Sequence, residues 1–541
     1  MRYRVTFFVS LFVFAVLTAQ AQENPRPIPR IEHVGGHYQL LVDGRPFLIL
    51  GGQAHNSSAT NPQDLEPVWR SLVALHANTA EVPVYWELLE PQAGKFDFHL
   101  ADEILAGARR NHLRLVLLWF ASWKNGEMHY TPEWVRRDKA QFQRVIGPRR
   151  EELEILSPLC EVARVADARA FAALMEHLRQ VDEADRTVIM VQVENETGLL
   201  GTDREYSQEA TRWFEGPVPA ELMTYLSQHR NALTPSLKTA WAAANLRPAG
   251  TWPEVFGELA PEIFSAWHIA HYVDRVAAAG KQAYPVPMYV NAWLINPGNE
   301  RAGRWPSGGP TEHVLDIWKA AAPHLDLLAP DIYLPKYQQT CAAYMRADNP
   351  LFVPEVGFVP HNAANAFLTF AGFDGWGFSP FGIDEAVEDG KVTERAVEFE
   401  DTYRVLRPLL DLIAAKQGSN ELHAIVQDED REQAVRLDRS LAAVVNFPKP
   451  YTPEGPRGRG MIVELAPDDY VVAGAGFRVV FRELTGPPRD AQFLSLEEGT
   501  FEGKRWIPTR RLNGDELHVA LPEKAKILRV RLLREGEHSS H

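Results

Sequence analysis

The sequence predicts an α/β protein: a (β/α)8 barrel followed by a smaller all-β, sandwich-like C-terminal domain. Three observations carry this. Residues 187–198 read Thr-Val-Ile-Met-Val-Gln-Val-Glu-Asn-Glu-Thr-Gly, an apolar, β-branched run of the kind that forms a parallel strand buried on both faces. Runs like it alternate with amphipathic helical stretches from 46 to 416, the pattern of consecutive βα units. Beyond about residue 417 short strands separated by turn residues take over, which reads as a sandwich.

Taken in order, the chain divides into 1–21, 22–45, 46–416 and 417–541. Arg2 and Arg4 precede an apolar stretch from Val5 to Leu17 that is short for a bilayer span, and Ala19-Gln20-Ala21 is a small-x-small cleavage site. Residues 1–21 therefore read as a cleaved export signal, with a mature chain beginning at Gln22 in the periplasm or outside the cell. Residues 22–45 are a Pro-rich leader and a hairpin strand, since Asp43-Gly44 between alternating apolar residues is a hairpin turn. In the barrel, strands are expected near 48–52, 78–84, 113–119, 188–193, 287–291, 325–329, 351–355 and 372–378. The intervening helices are expected at 66–76, 101–110, 171–181, 262–280, 313–322 and 394–416, with a helical insertion at 217–257. Beyond 417, strands are expected at 441–446, 461–465, 470–472, 477–481, 492–495, 517–521 and 527–533.

Composition narrows the partners. Hydrophobic residues make up 45% of the chain and charged residues 23%, as in an ordinary globular protein, and the net charge is -15. That charge disfavours nucleic acid and anionic membranes, which select basic patches. Outside the N-terminal signal no apolar run reaches spanning length. Cys160 and Cys341 could pair after export or remain two buried thiols. There is no metal-ligand spacing, phosphate loop or nucleophile elbow, so no metal and no cofactor is implied.

The candidate chemistry lies at strand ends. In a (β/α)8 barrel the C-terminal ends of the strands face the active site. The fourth strand ends in Asn195 and Glu196, and the seventh in Glu355 after Pro354. Strands four and seven lie across the barrel mouth from one another, and two such carboxyls are what cleavage of a glycosidic bond requires. A separation near 5 Å gives retention through a covalent glycosyl-enzyme, with one acid held protonated and its partner ionised. Asn195 can hydrogen-bond the sugar 2-hydroxyl, and Glu194, on the opposite face, reads as a structural acid paired with an Arg. Tyr333, past the sixth strand, can hydrogen-bond Glu355. Tyr85, Trp86, Trp123, Asn125, Trp293 and Trp376 all fall at strand ends or the loops after them, where aromatic faces stack on pyranose rings.

Val-Gln-Val-Glu-Asn-Glu-Thr-Gly at 191–198, together with Tyr-Trp-Glu-Leu-Leu-Glu-Pro-Gln-Ala-Gly-Lys-Phe-Asp-Phe at 85–98, resembles the family 35 glycoside hydrolases, retaining β-galactosidases. The resemblance covers most of 45–415. It implies Glu196 as acid/base, Glu355 as nucleophile, and sugar contacts from Glu87 and Glu90. Thr197 stands where that family usually has Tyr, and residues 53–56 depart from its common form. The insertion around 237–252 looks somewhat like family 42, a sister β-galactosidase group. The expectation is removal of terminal β-galactose from oligosaccharides or plant-type polysaccharide fragments. The competing readings are a β-glycosidase of other sugar preference, such as a β-glucosidase, and a glycan-binding barrel without turnover.

Overall fold

The computed structural model of the chain describes residues 27–485, 487 and 489–534. The export signal expected at 1–21 lies outside the described residues. Strands Arg30–Val34 and His37–Val42 form an antiparallel pair that continues onto Arg45–Pro46. Asp43 and Gly44 both take positive φ, 52° and 75°, as a two-residue hairpin turn of the primed type demands.

Eight parallel strands then close into a barrel. They are β1 (Ile49–Gln53), β2 (Thr79–Tyr85), β3 (Arg114–Lys124), β4 (Val188–Asn195), β5 (Met288–Trp293), β6 (Leu327–Ile332), β7 (Val353–Val356) and β8 (Gly377–Pro380). The ring closes where Gly377 and Phe378 pair with Ile49 and Leu50. Every residue of β4 is buried, as expected of a strand covered on both faces. The outer layer includes α1 (Pro62–Ala74), α2 (His99–Arg110), α3 (Glu161–Asp182), α4 (Ala260–Ala283), α5 (Leu315–Ala321), α6 (Tyr337–Tyr344) and α7 (Val397–Leu406). Helix α1 starts as its sequence dictates, with Asn61 accepting from the Asp64 amide and Pro62 in the first turn. Helices α3 and α4 pack so closely at Gly280 that a Cβ there would meet the Phe171 ring at 2.2 Å.

Several expectations shift. The eighth strand is Gly377–Pro380, not 372–378, because residues up to Gly372 complete a π-helical turn, Leu368–Gly372. Helix α3 begins ten residues earlier than the apolar periodicity indicated. The closing helix is interrupted by a 3-10 turn at Arg407–Leu409, which contains Pro408. The loop after β3 carries an unexpected β pair, Arg144–Ile146 with Glu152–Leu156.

Beyond the barrel lie two antiparallel sheets. One contains β9 (Leu422–Val426), β12 (Arg459–Ala466), β13 (Asp469–Ala475), β18 (Lys526–Leu533), β15 (Gln492–Glu502) and β16 (Arg505–Leu512). The other contains β10 (Glu432–Arg436), β11 (Leu441–Asn446), β14 (Phe477–Glu483) and β17 (Val519–Leu521). Their facing side chains, among them Ile462, Tyr470, Val472, Phe477 and Phe481, make a separate apolar core. The sandwich is tied to the barrel by Arg459. Its guanidinium is buried against Glu398 and Asp401 and donates to Thr402 at 2.6 Å, all three partners on α7.

Candidate active site

A cavity of about 340 Å³ opens at the C-terminal ends of the barrel strands. Its lining includes Asn56, Lys124, Asn125, Glu196, Trp293, Asp331, Tyr333, Glu355 and Phe381. The local fold delivers each acid. Strand β4 runs apolar to Val193, and then Glu194 and Glu196 both adopt left-handed backbone, φ 64° and 44°. Such conformations cost a non-glycine residue on the order of 1 kcal/mol and cluster where a side chain must be aimed. The pairing of β3 with β4 slips here, a step of five residues from Trp119 to Lys124 answering a step of two from Val193 to Asn195. Across the mouth, β6 and β7 pair so that Asp331 stands directly beside Glu355.

Three carboxylates converge. Glu196, Asp331 and Glu355 each place an oxygen within 4.8 Å of the others. All three are nearly inaccessible to solvent. Glu355 accepts from Gln53 Nε2 at 2.7 Å and from Tyr333 Oη at 2.8 Å, so both its oxygens meet donors. Glu196 accepts from the Asn125 amide, and its own backbone N–H donates to Asn291 Oδ1 at 2.8 Å. Burial first, then the charge of Glu355, pushes the Glu196 carboxyl up to about 7, while Lys124 pulls the other way. Burial and the charges of Glu355 and Glu196 hold Asp331 well above the usual carboxylate range. Lys124 is the buried cation of the group, and its Nζ donates to Asn195 Oδ1 at 2.7 Å.

The residues expected from sequence divide into two sets. Glu196, Glu355, Asn125, Trp293 and Tyr333 line the cavity together. Asn195 is buried next to them, and its Nδ2 has no hydrogen-bond partner among the described residues. The others do not line it. Tyr85 donates to the Asn56 carbonyl at 2.7 Å and stacks on Tyr130, supporting the rim from behind. Trp86 is buried and donates to Glu90 Oε2 at 2.9 Å, and Glu90 also takes the Gly94 amide and the Arg169 guanidinium. That pair ties the segment after β2 to the barrel wall and does not line the cavity. Glu87 is half-buried beside Arg136, with its backbone N–H on the Tyr130 carbonyl. Trp123 is fully buried, edge-on to Tyr272. Trp376 precedes β8 at the opposite end of the barrel and donates to the Tyr38 carbonyl at 2.8 Å. Glu194 is a structural acid, but its partner is Asp167 rather than an Arg. Both are buried, Glu194 accepts from the Trp123 amide at 2.8 Å, and burial with Asp167 beside it raises its carboxyl well above the ordinary range.

Sequence reasoning left Gln53, Lys124, Asn291 and Asp331 without roles. Gln53 and Asp331 had a readable signal, a polar side chain closing an apolar strand, the same one that marked Glu196. Cys160 and Cys341 are free thiols, both buried. No helix among the described residues is long and apolar enough to cross a membrane.

Residues 59–245 match the glycoside hydrolase family 42 model, described as beta-galactosidase, and residues 399–521 match a domain of unknown function, DUF5597. A β-galactosidase of Xanthomonas manihotis is 26% identical over 210 residues, which are 38% of this chain and 32% of that protein. The chain thus spans about a third of the length of the curated relative it matches. Among solved structures, a family 42 β-galactosidase from G. stearothermophilus, solved as a catalytic mutant, superposes with TM-score 0.50 at 11% identity. The superposition covers 90% of this chain and 98% of that one. The β-galactosidase of Bacillus circulans sp. alkalophilus gives TM-score 0.46 at 14% identity over 68% of this chain and 57% of its own. The sequence resemblance pointed to family 35, whereas the matching model is that of family 42. The fold is a closed (β/α)8 barrel with a C-terminal β-domain, shared with a solved β-galactosidase, and its 59–245 segment is similar in sequence to the family 42 β-galactosidase model.

Proposed function

We propose that this chain is a retaining β-galactosidase that removes terminal β-linked galactose from oligosaccharides or plant-type polysaccharide fragments by double displacement. One observation carries the reading: Glu196 and Glu355, on opposite sides of the barrel mouth, hold carboxylate oxygens within 4.8 Å of each other. That closeness favours direct attack over the wider pair between which an inverting enzyme interposes a water. Their surroundings differ as two such roles require. Glu355, met by Gln53 and Tyr333, is the nucleophile: an oxygen of its carboxylate attacks the anomeric carbon as the glycosidic C–O bond breaks. Glu196, whose carboxyl titrates near neutrality, gives its proton to the departing oxygen. In the second half the Glu196 carboxylate takes a proton from water, the resulting hydroxide displaces Glu355, and the starting protonation returns. The unpaired Asn195 Nδ2 is available to the sugar 2-hydroxyl, a bond that strengthens as positive charge develops on the ring. The family 42 match over 59–245 favours galactose over glucose.

Nitrophenyl β-galactoside and β-glucoside, offered in parallel with the first product followed by proton NMR, test the reading. Preferential cleavage of the galactoside with initial release of the β-anomer is expected, whereas initial α-anomer or preference for the glucoside would overturn it. We also infer export of the mature chain from the 1–21 segment, which N-terminal sequencing of the secreted protein checks.

A further inference from the structure

The double-displacement reading needs two carboxyls, yet the cavity holds three. Asp331 is only 2% exposed and stands beside Glu355 in the β6–β7 register. Its Oδ2 accepts from Asn291 Nδ2 at 2.7 Å, and the Asn291 carbonyl oxygen in turn holds the Glu196 backbone N–H at 2.8 Å. One amide side chain therefore fixes Asp331 and Glu196 relative to each other. The other oxygen, Oδ1, is buried with no hydrogen-bond partner among the described residues. A carboxylate oxygen left bare beside two further carboxylates would be costly, because like charges in a poorly solvated site cannot all ionise. A carboxylic acid at Asp331 has its acceptor in Glu196, the carboxyl with which it shares a side-chain hydrogen-bond interaction.

We propose that Asp331 is a positioning residue that stays protonated throughout the cycle and donates a hydrogen bond to Glu196 whenever Glu196 is ionised. This deepens, and rests on, the assignment of Glu196 as acid/base. The groups facing Asp331 are Glu196 from the end of β4, Glu355 from β7, Lys124 from β3, and Tyr289 and Asn291 from β5. Tyr333, just past β6, and Tyr344, from α6, complete the set. Lys124 is the one cation among these, and it serves Asn195 directly. The carboxyl of Asp331, held well above the usual range by burial and by Glu355 and Glu196, agrees with a retained proton. No proton leaves Asp331 in either half-reaction: Glu196 alone gives one to the leaving oxygen and regains one from water. What Asp331 contributes is a donor that steadies the Glu196 carboxylate between those two events.

Two readouts test this, one of them independent of turnover. In enzyme labelled with carbon-13 at the Asp side-chain carboxyl, the resonance missing from Asp331→Asn should show the protonated shift in wild type at pH 7. The ionised shift at pH 7 would overturn the proposal whether or not the protein cleaves any glycoside. The second readout is the alkaline limb of kcat/KM. Asp331→Asn, which keeps a donor, should leave that limb within about 0.3 pH unit of wild type. Asp331→Ala, which lacks one, should raise it by about one unit. If Asp331 were ionised beside Glu196, Asp331→Asn would instead lower the limb by removing a repelling charge. If both variants lose rate with the limb unmoved, Asp331 is merely structural. Either result would defeat the proposal. Absence of wild-type turnover would defeat the functional reading instead, and the resonance would still decide the protonation state.

Discussion

Tyr333 Oη donates to Glu355 Oε2 at 2.8 Å, a bond reaching from just past β6 to the end of β7. Gln53 meets the other oxygen from the end of β1, so the carboxylate is oriented from both sides. Hydrogen bonds to a charged group contribute about 1.5–3 kcal/mol each. Tyr333→Phe should therefore lower kcat/KM by roughly 10- to 100-fold, with the circular dichroism spectrum unchanged. A loss under threefold would mean that Tyr333 does not orient the nucleophile.

The pH dependence follows from Glu196. As general acid it must be protonated in the free enzyme, and its carboxyl is pushed up to about 7. Thus kcat/KM should fall as pH rises past about 7. Asn125 donates to the Glu196 carboxylate and so favours its ionised form. Asn125→Ala should accordingly move the alkaline limb to higher pH, and a move to lower pH would contradict the assignment.

Glu196 also links stability to pH. Its folded value lies above the roughly 4.3 of an unfolded glutamate, so between about pH 4.3 and 7 the native state binds more protons than the unfolded one. Stability arising from this group therefore declines as pH rises through that window. Glu196→Gln should stabilise the fold at pH 8 by on the order of 1–3 kcal/mol, seen as a higher melting temperature, with the gain shrinking toward pH 5. Melting curves at the two pH values read this directly, and an equal gain at both would contradict it.

The barrel–sandwich contact is tested at Arg459. Removing a buried guanidinium leaves Glu398 and Asp401 without their shared partner, a class of change that costs about 3–5 kcal/mol. Arg459→Ala should lower the melting temperature and expose the junction near 417–421 to limited proteolysis. Resistance equal to wild type would show that the tie is dispensable.

How much was legible in the sequence depends on what each residue had to reveal. Glu196 and Glu355 were visible because a charge closing an apolar run has no packing role, and in a barrel that end is the mouth. Asp331 and Gln53 carried the same mark but no motif to draw attention. Aromatics misled. Trp123 and Trp376 lie near strand ends, but a strand end alone does not say which face, or which end of the barrel, a ring serves. Trp86 and Glu90 satisfy each other four residues apart, which their spacing allowed but could not establish. In the sandwich, the longer strands missed were β9, β10 and β16, all at sheet edges. In β10 and β16 the polar residues, with Pro508 in β16, made the sequence read as loop, whereas β9, Leu-His-Ala-Ile-Val, is apolar but short and directly follows the closing helix.

The pairing of roles at Glu196 and Glu355 is tested most directly with a dinitrophenyl β-galactoside, whose leaving group needs no acid. Wild type, Glu196→Ala and Glu355→Ala are compared with and without azide. The account predicts that Glu196→Ala still forms the glycosyl-enzyme and that azide restores turnover as β-galactosyl azide. Glu355→Ala should be inactive on substrate, with azide giving at most the inverted α-azide. Activity of both variants near the wild-type rate would contradict the account.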